Sequence, residues 1–253
     1  MKKVLFTSSL LLLAGLSLGA AKEKTVVLPP EKLAEVQTIV RKADSLLARK
    51  FYEDAVVEYS KALEINPRDY VVHNKLGIAY HQLQAIPLAK KQYERAKKLN
   101  AQYSEAWNNL GTIHYGMKKY KKAVKNYKKA IQLQPLSATA YHNMGAAYFG
   151  MKKHELGFQA YLEAYRLDPR ILERTSNYGT IIRTAEINQG VQNFYLAKLF
   201  AMNGQMDKAL AYLLKALENG FSDYEKITKE PTFELLVKDE RLVRMMADKG
   251  PQP

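Results

Sequence analysis

The sequence predicts an all-α solenoid of about five helix-turn-helix repeats, followed by a C-terminal capping segment. The main evidence is a period of 34 residues, which apolar residues keep over four successive repeats. One phase of the period is always tyrosine, at Tyr59, Tyr93, Tyr127 and Tyr161. Three further phases hold small residues: Ala62, Ala96, Ala130 and Ala164; Ala55, Ala89, Ala123 and Gly157; Ala43, Gly77, Gly111 and Gly145. This pattern is typical of stacked helix pairs.

A closing proline is a further observation, because proline cannot continue a helix. Pro67, Pro135 and Pro169 share one phase, and Ala101 stands in the remaining position. The third repeat shows the whole pattern: Trp107, Leu110, Gly111, Ala123, Tyr127, Ala130 and Pro135. The pattern resembles the tetratricopeptide repeat. The resemblance implies a scaffold that binds a protein or peptide partner.

The array divides into four regular repeats and a fifth that follows an interruption. The regular repeats are predicted at 36–69, 70–103, 104–137 and 138–171. Small residues let the two helices of a repeat lie close together, and the tyrosines fill the seam between them. The fifth repeat is predicted at 190–223, where Ala209, Leu213 and Ala216 reproduce the second-helix pattern. The residues between, 172–189, are predicted to be an insertion that either contacts ligand or acts as a spacer.

Residues 22–35 and 224–253 flank the array. The first segment is predicted to be a linker that passes at Pro30 into an extension of the first helix. The second contains two short apolar segments that can cover the last repeat as a cap and tail. Gly220, just before it, suits a left-handed helix end. This ending is similar to that of many bacterial tetratricopeptide proteins.

Residues 1–21 have the pattern of a secretory signal peptide. Lys2 and Lys3 give a basic start, an apolar run follows, and Gly19 and Ala21 favour cleavage after Ala21. The alternative is an uncleaved anchor, because a tilted helix of this length can span a bilayer. Together with the bacterial type of ending, this segment predicts an exported, periplasmic or secreted bacterial protein.

The chain is strongly basic. Its net charge is +14, and loss of Lys2 and Lys3 with the signal segment leaves +12. A group of lysines shares one face of the second helix of the third repeat: Lys121, Lys125, Lys128 and Lys129. This face is either a solvated surface or a site for polyanions on an anionic envelope surface. No stacking motif lies beside the lysines, so nucleic acid is not an expected partner.

The candidate peptide-binding residues lie on the first helices, because the resemblance implies that ligands lie along them. They are Asn74, His81, Asn108, Asn109, Tyr115, His142, Asn143 and Phe149. An asparagine amide both donates and accepts hydrogen bonds, so a row of them can pair with an extended peptide backbone. Tyr115 and Phe149 are expected to add apolar pockets. The alternative is that Asn109 and Asn143 bond only within the scaffold.

The sequence offers no catalytic constellation. It contains no HExxH, no GxSxG and no phosphate-binding loop. The five histidines are not spaced as metal ligands. We therefore expect no enzymatic activity, no cofactor and no metal. The 253 residues include no cysteine, so disulfides do not support the fold. The sequence does not indicate the oligomeric state.

Overall fold

The computed structural model describes residues 28–172 and 189–249, and these residues fold into helices joined by short turns. The predicted signal segment 1–21 lies outside the described residues. So do residues 22–27 of the predicted linker, 173–188 of the predicted insertion and 250–253 of the tail. In the part of the chain that the structure describes, no helix is long and apolar enough to cross a membrane.

Ten helices form five antiparallel pairs, which confirms the all-α array of about five repeats. The first helix of each pair is α1 (Pro30–Ala48), α3 (Tyr70–Gln82), α5 (Ser104–Gly116), α7 (Ala138–Gly150) and α9 (Gln189–Met202). The second is α2 (Tyr52–Ile65), α4 (Ile86–Leu99), α6 (Tyr120–Leu133), α8 (His154–Leu167) and α10 (Met206–Glu218). Each helix packs mainly on its neighbours in sequence, as expected for a solenoid.

The seam within each regular pair is built from tyrosine against a small residue. Tyr59, Tyr93, Tyr127 and Tyr161 are all buried. A Cβ atom added at Gly111 would lie 2.5 Å from Cε1 of Tyr127, and one at Gly145 would lie 2.4 Å from Cδ1 of Tyr161. These contacts are closer than real Cβ atoms tolerate. The glycines therefore permit the close approach of the two helices, as the sequence predicted.

The fifth pair packs in the opposite sense to the regular pairs. In the regular array α7 runs antiparallel to α6, and a Cβ at Gly150, the last residue of α7, would lie 2.8 Å from the ring of Tyr120, the first residue of α6. In contrast, α9 runs alongside α8 in the same direction. His154 at the start of α8 stacks on Tyr195, and Gln205, just beyond α9, donates to the hydroxyl of Tyr165 near the end of α8.

The length of the connection before α9 explains this reversal. The regular repeats are joined by four-residue loops such as 134–137. Such a loop reaches about 13–14 Å, which is less than the roughly 21 Å length of a 14-residue helix. The connection from Leu167 to Gln189 is long enough for the chain to enter α9 from the other end. The sequence period predicted a fifth pair, but it carried no information on its direction.

A C-terminal cap covers the last pair, as predicted. Gly220 ends α10 in the left-handed region with φ of 82°, and the Phe221 amide donates to the Ala216 carbonyl at 2.9 Å. Phe221 then stacks on Phe194, with ring centroids 4.6 Å apart. The cap itself consists of α11 (Tyr224–Thr228), 3₁₀ turns at Pro231–Phe233 and Leu236–Lys238, and α12 (Glu240–Lys249). It buries Ile227, Phe233, Leu236 and Leu242.

Candidate functional site

Four of the predicted asparagines form one chain of hydrogen bonds that crosses three repeats. Asn143 on α7 donates to Asn108 on α5 at 3.1 Å, and Asn108 donates to its neighbour Asn109 at 3.3 Å. Asn109 then donates to Asn74 on α3 at 2.9 Å, and Asn74 donates to the Tyr103 hydroxyl at 3.5 Å. We call these four residues the amide chain. Every bond in it runs in the same direction, so each amide orients the next.

The amide chain leaves bonding capacity for a ligand. An asparagine amide has two N–H donors and an oxygen with two lone pairs, and the chain uses only part of this capacity. Asn74, Asn109 and Asn143 are buried, whereas Asn108 is half-buried. Asn108 is therefore the member that can present its second N–H without a rearrangement, and the buried members hold it in place.

An open cleft of about 290 Å³ lies beside the amide chain. Its walls come from four helices and the loop before α7: Asn74, Ile78, Ser104, Glu105, Asn108, Asn109, Ala130, Gln134, Ser137 and Thr139. The Ser104 hydroxyl lies 2.8 Å from Oε1 of Gln134 and 3.0 Å from Oε2 of Glu105. Seven of the ten lining residues thus have uncharged polar side chains, and the charged Glu105 is exposed.

The other four predicted residues lie away from this cleft. Tyr115 and Phe149 are buried in the apolar core, with Phe149 packed 5.2 Å from the ring of Tyr161. His81 is buried against Tyr93. In this structure these side chains form no apolar pockets on the ligand face, because helix packing has already covered their rings. Their contact with a peptide stays a prediction, and the cleft brings together only Asn74, Asn108 and Asn109 of the predicted set.

His142 is buried within the helix packing. Its ring stacks on Tyr161, with centroids 5.0 Å apart and planes within 9°. Burial lowers the pKa of His142 to about 4, although hydrogen bonding to Asn143 opposes the shift. The imidazole is therefore neutral at physiological pH and serves as a packed ring beside the amide chain.

Comparison with known families identifies the repeat. A tetratricopeptide repeat model matches residues 104–135, a second matches 138–171, and a TPR repeat model matches 43–84. The chain contains tetratricopeptide repeats. These matches fall on the regular pairs and confirm the resemblance that the sequence pattern suggested.

Solved structures share the fold of this tetratricopeptide array at low sequence identity. The chain is similar to pilF of Pseudomonas aeruginosa, with 20% identity, 87% of this chain and 90% of that chain covered, and a TM-score of 0.57. It is also similar to MamA 41-end from Desulfovibrio magneticus RS-1, with 20% identity, 73% and 94% coverage, and a TM-score of 0.51. A search of the curated proteins finds no match.

The lysine face of the tetratricopeptide array lies on α6, away from the cleft. Lys121, Lys125 and Lys128 are exposed, and the half-buried Lys129 donates to Gln132 at 3.1 Å. The residues of α6 include five lysines and no acid. The neighbouring second helix continues the basic surface with the exposed side chains of Lys91, Arg95 and Lys98. The predicted group therefore extends over two repeats.

Sequence reasoning missed the cleft residues that do not lie in the middle of a first helix. Gln134 follows α6, Ser137 precedes α7, and Thr139 lies in the first turn of α7. Serine and threonine around a helix start are ordinarily assigned to capping, and Ser137 does accept from the Ala140 amide at 3.3 Å. The sequence feature that could have indicated these cleft residues is the position of the polar loop between Asn109 and Asn143.

Proposed function

We propose that this protein is a tetratricopeptide adaptor that binds an extended segment of a partner protein in the cleft beside the amide chain. The observation that carries the proposal is the bond series from Asn143 to Tyr103. It fixes the orientation of Asn108 at the edge of an open polar cleft. A binding side chain held in advance by its neighbours loses less entropy when a ligand arrives.

The chemistry of the cleft favours the backbone of the partner over a single charged group. Asn108 and Gln134 offer amide donors and acceptors, and Ser137 and Thr139 offer hydroxyls. A peptide backbone has one N–H and one carbonyl at each residue except proline, so such a surface can pair with it repeatedly. Glu105 is the charged residue of the lining, and it favours a segment with a basic side chain at that end.

A selection from a library of unstructured peptides displayed on phage tests this proposal. Peptides bound by the wild-type protein should bind Asn108→Ala about 3- to 10-fold more weakly, because one or two hydrogen bonds are lost. Thr139→Arg should block the cleft and abolish binding. Lys125→Ala, on the opposite helix layer, is the matched control and should bind like wild type. Equal binding by all three variants would contradict the cleft as the binding site.

The place of action that we propose is the cell envelope of a bacterium, in assembly or secretion. The support is the pattern of residues 1–21, which have a basic start, an apolar run and small residues before Lys22. Expression in a Gram-negative host followed by fractionation should recover the protein in the periplasm. N-terminal sequencing should then begin at Lys22. A cytoplasmic protein that keeps Met1 would contradict this placement, but it would leave the cleft proposal standing.

A second candidate function is the binding of polyanions by the lysine face of α6. Its support is the run of exposed lysines with no acid on the same helix. Exposed charges are screened within about 8 Å at physiological ionic strength, so binding to an anionic cell-wall polymer should weaken steeply with salt. Replacement of Lys121, Lys125, Lys128 and Lys129 by glutamine should abolish it. Salt-independent binding would contradict this candidate.

A further inference from the structure

Three of the four loops inside the regular pairs carry a concentrated positive charge. The four loops span residues 49–51, 83–85, 117–119 and 151–153. The first helices of a regular array all run in one direction, so these loops lie along one edge, which we call the turn edge. They hold six cations and no acid: Arg49, Lys50, Lys118, Lys119, Lys152 and Lys153. The loops between the regular repeats, at the opposite edge, hold only Arg68 and Asp69 as charged residues.

The same edge exposes one large apolar side chain in every regular repeat. Phe51, Leu88, Met117 and Leu156 lie in these loops or in the helix turn that follows, and each is 45–47% exposed. In the loops between regular repeats the corresponding exposed residue is Leu136 alone. Apolar side chains therefore recur along this edge, and in the first, third and fourth repeats they lie in or directly after a loop that holds two cations.

Backbone conformation also marks these loops. Lys50, Lys118 and Lys152 have φ between 58° and 65°, in the left-handed region. Gly204 occupies the corresponding position of the fifth pair with φ of 71°. Glycine adopts this conformation more easily than any other residue. Three repeats nevertheless place lysine there, at the tip of the turn.

The charge at this edge acts on two partly buried histidines. Burial lowers the pKa of His114, and the positive charges of Lys90, Lys122 and Lys119 lower it further against the opposing charge of Glu94. Burial likewise lowers the pKa of His154, with Lys226 and Lys152 adding to the effect. Both histidines lie next to the loops of the third and fourth repeats, where the sequence Met-Lys-Lys occurs twice, at 117–119 and 151–153.

We infer that the turn edge docks on the surface of an anionic phospholipid bilayer, with its apolar side chains among the lipid headgroups. Lipids move laterally and can bring a phosphate to each cation, so a diffuse row of charges suits them better than a fitted protein partner. The bilayer interface also accepts the apolar side chains between those charges. Docking centres on the third and fourth repeats. In the first repeat Glu53 and Asp54 offset the charge of the loop, and the loop of the second repeat holds no cation. In the fourth repeat Glu155 offsets only part of the charge of Lys152 and Lys153.

This orientation leaves the cleft accessible. Gln134 and Ser137 belong to the loop at the opposite edge, and Ser104 and Thr139 lie in the first turns that adjoin that edge. The two surfaces are therefore independent. An array seated on its turn edge can present the cleft to a partner at the membrane surface.

A pair of single-cysteine proteins tests the inference in the full chain, which has no cysteine of its own. Met117→Cys on the turn edge and Leu136→Cys on the opposite edge are labelled with an environment-sensitive fluorophore. Vesicles of phosphatidylglycerol mixed with phosphatidylcholine should shift the emission of the first probe to the blue and leave the second unchanged. Vesicles of phosphatidylcholine alone should shift neither. Both labelled proteins contain residues 1–21, so any binding through that segment affects both equally and does not contribute to the difference between the two probes.

Charge variants complete the test. Replacement of Lys118, Lys119, Lys152 and Lys153 by glutamine should weaken the partitioning detected at position 117 by more than about 100-fold. Gln84 already occupies the left-handed position of the second repeat with φ of 58°, so these loops accept glutamine. Replacement of Lys32, Arg68 and Arg170, which lie towards the opposite edge, by glutamine should have little effect. An equal shift at both probes, no shift at position 117, or an equal shift with soluble polyglutamate would overturn the inference.

Discussion

At the residue scale, the fold depends on places where a glycine touches a tyrosine ring. The sequence period located these contacts correctly, because only a small residue is compatible with close helix packing. The same reasoning could not determine the amide chain. Its partners Asn109 and Asn74, like Asn143 and Asn108, are 35 residues apart, one more than the repeat. Such diagonal bonds depend on side-chain direction, which a period does not contain.

The contact at Gly111 predicts a marked loss of stability on substitution. Gly111→Val should lower the free energy of unfolding by about 1–3 kcal/mol, because the new side chain would overlap the ring of Tyr127. Gly116→Ala, at the exposed end of the same helix, is the control and should cost less. Chemical denaturation gives both values, and hydrogen exchange locates the loss in the third repeat. Identical midpoints for Gly111→Val and wild type would contradict the helix crossing.

His142 predicts a specific dependence of stability on pH. Its pKa is about 4 in the folded protein and near 6.5 when unfolded, so between these values only the unfolded state binds the proton. Stability is therefore highest above pH 6.5 and falls as the pH decreases towards 4, by up to about 3 kcal/mol from this residue.

The comparison of wild type with His142→Phe isolates that effect. Phenylalanine can keep the stack on Tyr161 but does not titrate. The free energies of unfolding should differ by a constant amount above pH 7, and wild type should lose stability relative to the variant at lower pH. Parallel curves from pH 7.5 to pH 4.5 would show that His142 is not buried in the neutral form.

At the element scale, helix ends were predicted well where the sequence contains a backbone constraint. Pro67, Pro135 and Pro169 each lie two residues beyond the end of a second helix, and Gly220 forms the left-handed end of α10. The direction of α9 could not be predicted, because a connection of this length permits either entry. The sequence also could not identify the polar loop at 134–137 as part of the cleft. A serine at this position is accounted for equally well by helix capping and by contact with a ligand.

The start of α3 offers a test of one helix end. Both the Val71 and Val72 amides donate to the Asp69 carboxylate at 3.0 Å. Asp69→Ala should lower the free energy of unfolding by about 1 kcal/mol, because these two amides lose their acceptor. Asp69→Asn keeps an acceptor oxygen and should lose less. Thermal unfolding of the two variants distinguishes them, and equal losses would mean that the carboxylate charge matters more than the hydrogen bonds.

At the scale of the whole molecule, the three candidate binding surfaces lie on different parts of the array. The cleft lies towards the loops between repeats, the basic turn edge lies at the other ends of the helices, and the lysines of α6 form a third surface. The same residues build the helix packing of every regular repeat. Differences between repeats, such as the two Met-Lys-Lys loops, therefore mark positions where a binding surface can change without loss of the fold. A scaffold with separate surfaces is suited to hold one partner while it is seated on another structure.

Site-specific photo-crosslinking in the native cells tests the central claim that the cleft holds a partner segment. A photoreactive amino acid replaces Thr139 inside the cleft, and a second protein carries it at Lys125 on α6. We predict that position 139 captures a partner protein, that Asn108→Ala in the same chain reduces the yield, and that position 125 captures nothing of the same mass. Capture of that partner from position 125 alone, or unchanged capture with Asn108→Ala, would contradict the cleft as the binding site.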